Sequence, residues 1–478
     1  MNTKKSMLVW FRNNLRTEDN ITLARAVEQD APLIPLFIFD EKRDCGSASR
    51  LWLYHALKSF ERELFRLGTR LIFLKGDSRI ILARLASETG AKALYWDRSY
   101  EPYQKEQDQL IQKDLEGWGI RCESFNDTLL FDPAQIRTRQ GTPFKVFTAF
   151  WNHCTSLPEP MLPVRAPQRL SGPAKWPQSK RLEDFGLRDK ARWSNKVEAF
   201  WEPGNVDVRK NWRKFLKEKL ENYSHDRDRP ALEGTSRLSP YLHFGEISVR
   251  SIWHEMRQYM VQHRRAGIFR EAETFLRQIV WREFAHYFLF HFPETIEHPF
   301  RKEFEKFHWK KNSALLCAWR KGKTGYPIVD AGMRELWATG WMHNRVRMIV
   351  ASFLVKDLLQ PWQEGAQWFL ETLVDADVAN NVFGWQWTAG CGADAAPYFR
   401  IFNPILQGEK FDSRGDYVRR WVPELSKLPD RFIHKPWQAS PEILAKAGIR
   451  LGKDYPDPVV DHHQARNRAL FNYARMKK

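Results

Sequence analysis

Short apolar runs alternate with amphipathic stretches over the first 130 residues, and this pattern constrains the fold more than any other feature of the chain. Near-continuous apolar strands separated by helices are typical of a parallel sheet that helices cover on both faces. A ligand of such a sheet lies at the carboxyl ends of its strands. The predicted strands cover residues 7–11, 33–40, 70–75 and 93–97, and the predicted helices cover residues 20–29, 49–67, 78–89 and 104–118.

A proline-rich stretch separates this α/β pattern from a helical remainder. Eight prolines between residues 133 and 177 break regular structure, so we interpret residues 131–205 as a connector. We predict a Rossmann-like α/β domain with a parallel five-stranded sheet over residues 1–130, and an all-α domain over residues 206–478. Its predicted helices cover residues 207–221, 248–263, 270–290, 326–338, 344–360 and 365–373.

The charge of the chain is strongly positive and unevenly distributed. The 478 residues carry a net charge of +18, of which residues 1–130 supply about +1 and the rest about +17. An excess of this kind favours a polyanionic partner, with nucleic acid first and a membrane surface second. A merely basic soluble enzyme is the alternative, because net charge bears on association and not on fold.

Cysteine usage and hydropathy indicate a soluble protein of a reducing compartment. The five cysteines lie far apart and form neither a CxxC motif nor a metal-ligand spacing. The N-terminal apolar run is too short for a secretory signal, and no apolar stretch approaches the length of a membrane span. The chain contains no GxGxxG and no GxxxxGK[ST] motif, so an ordinary dinucleotide or P-loop site is not supported.

Tryptophan is unusually frequent, with 21 residues, and three of them have polar or charged neighbours. These are Trp309, Trp362 and Trp385. Tryptophan is readily oxidised by one electron, and its ring stacks well on nucleic-acid bases. In a basic helical region this predicts redox chemistry on nucleic acid, whereas each tryptophan alone is equally typical of a protein core.

Four segments carry residue types suited to binding a phosphate, a base or a heterocycle. Small hydroxyls at 235–239 precede a predicted helix, where they would cap it and offer donors to a phosphate; an ordinary Ser–Pro turn is the alternative. Gln278, Trp281 and Arg282 share a helix face that suits a flipped base, although an Arg–Glu pair beside a core Trp has the same pattern. Asn344 and Arg347 also share a face.

The fourth segment runs from Asp375 to Trp385. Asp377, Asn381 and Trp385 are spaced by four residues and would line one side of a pocket for a polar heterocycle. A metal site or a solvated acidic turn is the alternative, but no histidine lies at the spacing that a metal site requires.

Five linked motifs resemble the photolyase/cryptochrome family, in matching order over essentially the whole chain. They are Thr235–Pro240, Trp281-Arg282-Glu283-Phe284, residues 325–331, Gly340-Trp341-Met342-His343-Asn344-Arg345 and residues 394–404. The versions at 375–381 and 46–52 look most like those of the bacterial class III branch. The resemblance implies an N-terminal antenna domain, a helical FAD-binding domain and light-driven repair of cyclobutane pyrimidine dimers by electron transfer from reduced FAD. Damaged DNA is the implied partner, and a cytoplasmic, DNA-associated monomer is expected.

The resemblance also assigns residues. The implied FAD contacts are Tyr223, Thr235, Ser236, Arg237, Leu238, Ser239, Phe275, Asn344, Arg347, Asp375, Asp377 and Asn381, with Arg347 and Asp375 as an ion pair and Asn381 facing flavin N5. Trp385, Trp362 and Trp309 would relay electrons from the surface. The implied dimer and DNA contacts are Gln278, Trp281, Arg282, Asn344, Arg345, Met348, Trp387 and Gln407.

One position departs from the pattern of cyclobutane-dimer enzymes. They usually carry Glu where this chain has Gln278, and Gln keeps a donor and an acceptor but loses the charge. The (6-4) photolyases and many cryptochromes carry Gln there, so a (6-4) enzyme and a light sensor without repair remain alternatives, as does a basic nucleic-acid-binding protein without flavin. The implied antenna chromophore is 5,10-methenyltetrahydrofolate, with a deazaflavin or FMN as alternatives.

Overall fold

The computed structural model describes residues 5–42, 45–188, 192–201, 203, 207–263, 265–395 and 399–477. The chain divides into two compact units. Unit one comprises residues 1–194, 201–220 and 236–293, and unit two comprises residues 195–200, 221–235 and 294–478. The end of the predicted connector, at 202 and 204–205, the first residue of the predicted helical domain and residues 396–398 of the last family motif lie outside the described residues.

A five-stranded parallel sheet forms the centre of unit one. Its strands are β1 (Met7–Phe11), β2 (Leu33–Phe39), β3 (Ile72–Lys75), β4 (Ala93–Asp97) and β5 (Arg121–Phe125). The strand order is β3-β2-β1-β4-β5, and Met7 of β1 is in register with Leu33 on one side and Ala93 on the other. The predicted parallel five-stranded sheet is therefore confirmed, although β5 was not among the four strands predicted from apolar runs.

Twenty α-helices lie among the described residues. In the first part of the chain they are α1 (Ile21–Val27), α2 (Ser47–Arg66), α3 (Ser78–Thr89), α4 (Pro102–Gly117), α5 (Phe147–Ser156), α6 (Arg192–Trp201), α7 (Val208–Glu218), α8 (Tyr223–Asp226), α9 (Ser239–His243), α10 (Val249–Gln262) and α11 (Ala266–His291). They continue with α12 (Ser313–Arg320), α13 (Pro327–Thr339), α14 (Asn344–Ser352), α15 (Trp362–Thr372), α16 (Val378–Ala389), α17 (Pro404–Phe411), α18 (Asp416–Trp421), α19 (Pro441–Ala447) and α20 (His462–Met476).

Local sequence signals account for several helix ends. Asp77 accepts hydrogen bonds from the backbone N–H groups of Arg79 and Ile80 and so begins α3. Pro327 opens α13 at a position where the missing N–H costs nothing. Gly340 ends α13 with a φ of 67°, a left-handed conformation that a glycine adopts without strain.

The prediction of one continuous helix over residues 344–360 is wrong. Helix α14 ends at Ser352, and residues Phe353–Asp357 form a π-helical turn. Its Lys356 and Asp357 are fully buried. Lys356 donates a hydrogen bond to the carbonyl of Ala389, and Asp357 pairs with His462. Because these partners lie far away in sequence, the apolar spacing alone does not reveal the turn.

Helix α5 forms inside the segment that the prolines led us to interpret as a connector. Its apolar residues Phe147, Phe150, Trp151 and Cys154 are all buried. Their spacing is that of one helix face, which outweighs the surrounding prolines. Among the described residues, no helix combines the length and the apolar character needed to cross a bilayer.

Candidate functional site

An ion pair lies immediately before helix α16 in unit two. Nη2 of Arg347 is 3.0 Å and 2.8 Å from the two carboxylate oxygens of Asp375. Nε of Arg347 donates to the carbonyl of Met342, which fixes the guanidinium. The carboxylate is almost fully buried. The ion pair that the family resemblance implies is therefore present. It fixes Asp375, which lies two residues before the N-cap of α16.

Helix α16 presents an amide oxygen at its first turn. Asp377 is the N-cap and accepts from the backbone N–H of Asn380 at 2.8 Å. One position further, Nδ2 of Asn381 donates to the carbonyl of Ala366 at 2.9 Å. This bond uses one of the two N–H groups of Nδ2 and fixes the amide, whose Oδ1 can accept a hydrogen bond from a ligand.

Trp385 lies one turn after Asn381 and is enclosed by α15. It is 2 % exposed, and its Nε1–H has no hydrogen-bond partner among the described residues. Its ring meets Phe369 edge-on with centroids 5.0 Å apart. A Cβ on Gly365 would lie 2.0 Å from the indole, so a glycine is required there. A buried N–H without a partner costs free energy and suits a site that receives a ligand.

The other two tryptophans of the predicted relay differ in exposure. Trp362 is the first residue of α15 and is buried. Trp309 is partly exposed and packs on Phe307 with ring centroids 4.5 Å apart. The three side chains thus include two in the core of unit two and one that reaches its surface.

His343 begins helix α14, and the predictions did not include it. Its Nδ1 accepts from the backbone N–H of Arg345 at 3.2 Å, which leaves the proton on Nε2. That Nε2–H is buried and has no partner among the described residues. Burial lowers the pKa of this imidazole to about 4. In the sequence, the signal for a helix-capping histidine is the position of His343 directly before the start of a predicted helix.

The residues after His343 have different surroundings. Asn344 is exposed at the first helical position, and Met348 one turn later is partly buried. Arg345 is 2.7 Å from a carboxylate oxygen of Asp228, and its guanidinium lies 4.4 Å from the ring centroid of Phe411. Arg345 therefore already has an acidic partner, with which a DNA phosphate would compete.

Helix α11 of unit one carries the three residues predicted for a flipped base. Nε2 of Gln278 donates to the carbonyl of Thr274 at 3.2 Å. The indole of Trp281 is stacked on Phe147, with ring centroids 3.6 Å apart and planes 6° apart. Arg282 donates to the carbonyl of Thr128 at 2.9 Å. Partial burial of all three is consistent with a face that a ligand contacts.

The hydroxyls at 235–239 do not cap a helix, so that part of the prediction is wrong. Helix α9 begins at Ser239, its N-cap is Leu238, and no side chain satisfies the cap. Arg237 has a φ of 51°, which turns the backbone just before the helix.

The remaining predicted residues are enclosed to different degrees. Burial raises the pKa of Tyr223 to about 12. Phe275 is buried against Trp212, with ring centroids 5.2 Å apart. Trp387 donates from Nε1 to the carbonyl of Asp394 at 3.1 Å, and Gln407 is partly buried. Within the described part of the chain no cluster of histidine, cysteine or acidic residues has the arrangement of a metal site.

Unit two thus offers an arginine, a carboxylate, an amide oxygen and two ring N–H groups without a partner among the described residues, located at the start of α14 and along the first two turns of α16. These groups suit a planar heterocycle that carries both donors and acceptors, and they fit a flavin. A parallel α/β domain followed by helices that hold such a group is the architecture of a two-domain flavoprotein.

Comparison with known proteins identifies the family to which the chain belongs. The family model described as DNA photolyase matches residues 7–168, and the model described as the FAD binding domain of DNA photolyase matches residues 275–475. The chain belongs to the DNA photolyase family, and its residues 275–475 match the FAD-binding domain of that family.

Three relatives illustrate the similarity. A deoxyribodipyrimidine photo-lyase of Agrobacterium fabrum is 46 % identical over 99 % of this chain and 98 % of its own length. A crystal structure of a bacterial class III photolyase from Agrobacterium tumefaciens superposes with a TM-score of 0.96 at 45 % identity, covering 100 % of this chain and 98 % of that one. Cryptochrome-1 of Arabidopsis thaliana is 40 % identical over 96 % of this chain and 69 % of its own length.

Proposed function

We propose that this protein is a deoxyribodipyrimidine photolyase that uses light to repair cyclobutane pyrimidine dimers in DNA. The full-length identity of 46 % with a deoxyribodipyrimidine photo-lyase carries the proposal. The excess positive charge of about +17 after residue 130 supports binding to the phosphate backbone. When bound and reduced, FAD would supply light-driven transfer of one electron to the dimer, with return of the electron after the two carbon–carbon bonds of the cyclobutane ring have broken.

The chain holds and orients the cofactor. Arg347, which Asp375 holds in place, would supply a positive charge beside the cofactor, and Oδ1 of Asn381 would face flavin N5 and accept a hydrogen bond there. The ring N–H of Trp385 has no partner among the described residues and would add a donor. The proposed FAD contacts are Tyr223, Thr235, Ser236, Arg237, Leu238, Ser239, Phe275, Asn344, Arg347, Asp375, Asp377 and Asn381.

We propose that Trp309, Trp362 and Trp385 carry electrons from the surface towards the cofactor. The partial exposure of Trp309 and the burial of the other two support this direction. An exposed tryptophan can be reduced again by a solute, whereas a buried one is protected from side reactions.

We propose that Trp281 and Trp387 stack on the flipped dimer and that Gln278 hydrogen-bonds it. Flipping costs least for a damaged and poorly stacked lesion, which favours the dimer over intact bases. Each stacked base contributes about 1–3 kcal/mol. Further proposed contacts to the lesion and the DNA backbone are Arg282, Asn344, Arg345, Met348 and Gln407.

The test is light-dependent repair of DNA with one defined lesion. We expect illumination of the photoreduced protein to restore intact thymines from a cyclobutane dimer and to leave a (6-4) lesion unchanged. Repair of the (6-4) lesion alone would assign the other enzyme class. The similarity to cryptochrome-1 makes a light sensor the second candidate, and FAD photoreduction without repair of either lesion would establish it.

We also propose an antenna chromophore, 5,10-methenyltetrahydrofolate, following the resemblance to the class III branch. A deazaflavin or FMN is the alternative, and absorption spectroscopy of the chromophores released on denaturation separates the three. The protein is further proposed to act as a cytoplasmic monomer associated with DNA, which sedimentation with and without DNA would test.

A further inference from the structure

Phe147 lies against Trp281 although 134 positions separate them in sequence. Phe147 is the first residue of α5 and is 1 % exposed. Its ring is almost parallel to the indole, with the planes 6° apart and the centroids 3.6 Å apart. This separation is shorter than the usual 4.5–7 Å between aromatic centroids, so the two rings overlap extensively. One face of Trp281 is therefore covered by protein.

The surroundings of Phe147 hold its ring in place. The guanidinium of Arg277, one turn before Trp281 on α11, lies 5.2 Å from the Phe147 centroid and 5.1 Å from that of Trp151. On the same helix α5, Phe150 packs against Phe284 and Tyr287, with centroid distances of 5.0 Å and 4.8 Å. Because α5 and α11 pack against each other at several points, the Phe147 ring is held in a fixed position beside Trp281.

A supported indole is a better stacking surface than a mobile one. Ordering a side chain on binding costs free energy, and a ring that already has its bound orientation avoids this cost. Because Phe147 occupies one face of Trp281, a base cannot stack on that face. The support thus fixes the plane of the indole.

We propose that Phe147 is a positioning residue for the DNA lesion, and that it sets the plane of Trp281 and thereby the preference for dimer-containing over intact DNA. This inference rests on the proposed function, in which Trp281 stacks on the flipped dimer. Phe147 itself is expected to contact neither the lesion nor the flavin. Its effect should therefore appear in binding of the lesion and not in the yield of the photochemical step.

The experiment compares Phe147→Leu with Phe150→Leu. Both changes remove a buried ring from α5, but the ring contacts of Phe150 are with Phe144, Phe284 and Tyr287. We expect Phe147→Leu to weaken binding to DNA with a single cyclobutane dimer by roughly 2- to 10-fold, the range that an aromatic pair contributes. Affinity for undamaged DNA, FAD content and repair yield per photon at saturating DNA should stay unchanged. Phe147→Tyr, which keeps the flat ring, should restore dimer binding.

A double-mutant cycle separates this role from a general loss of stability. If Phe147 acts through Trp281, then Phe147→Leu has no further effect on dimer affinity in a Trp281→Leu background. An equal loss of dimer affinity in the Phe147 and Phe150 variants, or additive effects with Trp281→Leu, would overturn the inference. If the unchanged protein neither prefers nor repairs the dimer, the proposed function fails instead.

Discussion

Arginines at the carboxyl edge of the sheet in unit one have carboxylate partners, whereas two ring N–H groups in unit two, one at the start of α14 and one on α16, have no partner among the described residues. At the sheet edge, Arg12 follows β1 and makes two hydrogen bonds, of 2.8 Å and 2.9 Å, to the carboxylate of Asp108. Arg250 pairs there with the fully buried Asp19 at 3.0 Å. In unit two, Nε2 of His343 and Nε1 of Trp385 are buried without a partner among the described residues.

The difference indicates where a ligand belongs. In an open parallel sheet a ligand ordinarily lies where the strand order reverses, here between β1 and β4. That edge is occupied by ion pairs of the chain itself, and a ligand there would have to replace them at a high cost in desolvation. The unpartnered N–H groups of unit two would instead gain a hydrogen bond from a ligand. They lie within residues 275–475, which the family model assigns to FAD binding.

The largest expected effect comes from replacing Trp385, which carries one of the unpartnered N–H groups and is also the innermost member of the proposed electron relay. Trp385→Phe should abolish most photoreduction of bound FAD, because the proposed relay loses its innermost member, while chemically reduced protein keeps its repair activity. Trp52→Phe in unit one is the matched control, since that buried indole donates to Glu246 at 2.6 Å. Its loss should cost about 1–3 kcal/mol of stability and leave photoreduction intact. Bleaching of the oxidised flavin absorbance under blue light provides the measurement.

Two variants, each of which removes the carboxylate of one ion pair, test the comparison between unit one and unit two directly. Asp108→Asn should cost about 3–5 kcal/mol of unfolding free energy, because it leaves the buried Arg12 without its carboxylate. Asp375→Asn should cost only about 2 kcal/mol, because Arg347 is partly exposed. We nevertheless expect that, of the two variants, only Asp375→Asn loses bound FAD. Urea unfolding and flavin content after gel filtration are the two measurements, and FAD loss from Asp108→Asn instead would reverse the conclusion.

The sequence predicted the sheet better than the site. Four apolar runs located β1 to β4 within two residues, because a strand buried on both faces must be apolar throughout. Helix spacing placed Asn381 and Trp385 on one side of α16, and the motif resemblance anticipated the ion pair of Arg347 with Asp375. These features depend on local periodicity or on motifs that are contiguous in the chain.

Contacts between distant segments escaped prediction. The support of Trp281 by Phe147 and the burial of Lys356 against Ala389 are set by the packing of helices far apart in sequence. The hydroxyls at 235–239 have the composition of a helix cap, yet α9 has Leu238 at its N-cap and no side-chain cap hydrogen bond. His343 was missed because its unpartnered Nε2 exists only once the surrounding chain has folded.

Lowering the pH should reduce the stability of unit two through protonation of His343. Burial lowers its pKa from 6.5 to about 4, so the unfolded chain binds more protons between these values. The free energy of unfolding should therefore fall as the pH drops from about 6.5 to about 4, by roughly 3 kcal/mol from this residue. His343→Asn keeps a capping acceptor but does not titrate. Asp228, Arg227, Arg345 and Arg347, the charges that act on the imidazole, remain in both proteins. Urea unfolding at several pH values should show a shallower pH dependence for the variant, and parallel curves would exclude His343 as the cause.

The smallest expected effect concerns the one departure from the usual photolyase pattern. Gln278 directs its Nε2 to the carbonyl of Thr274, a partner on its own helix. Gln278→Glu introduces a carboxyl group that, when protonated, donates to the lesion and helps to hold the added electron. We expect repair per absorbed photon to rise about 2- to 5-fold at low pH, which corresponds to about 0.5–1 kcal/mol, and the gain to disappear as the carboxyl group ionises at higher pH. Gln278→Met, of similar size without polar atoms, is the control. Equal yields from the Glu and Met variants at every pH would mean that residue 278 does not hydrogen-bond the dimer, and stacking by Trp281 would then be the main contribution of α11 to lesion recognition.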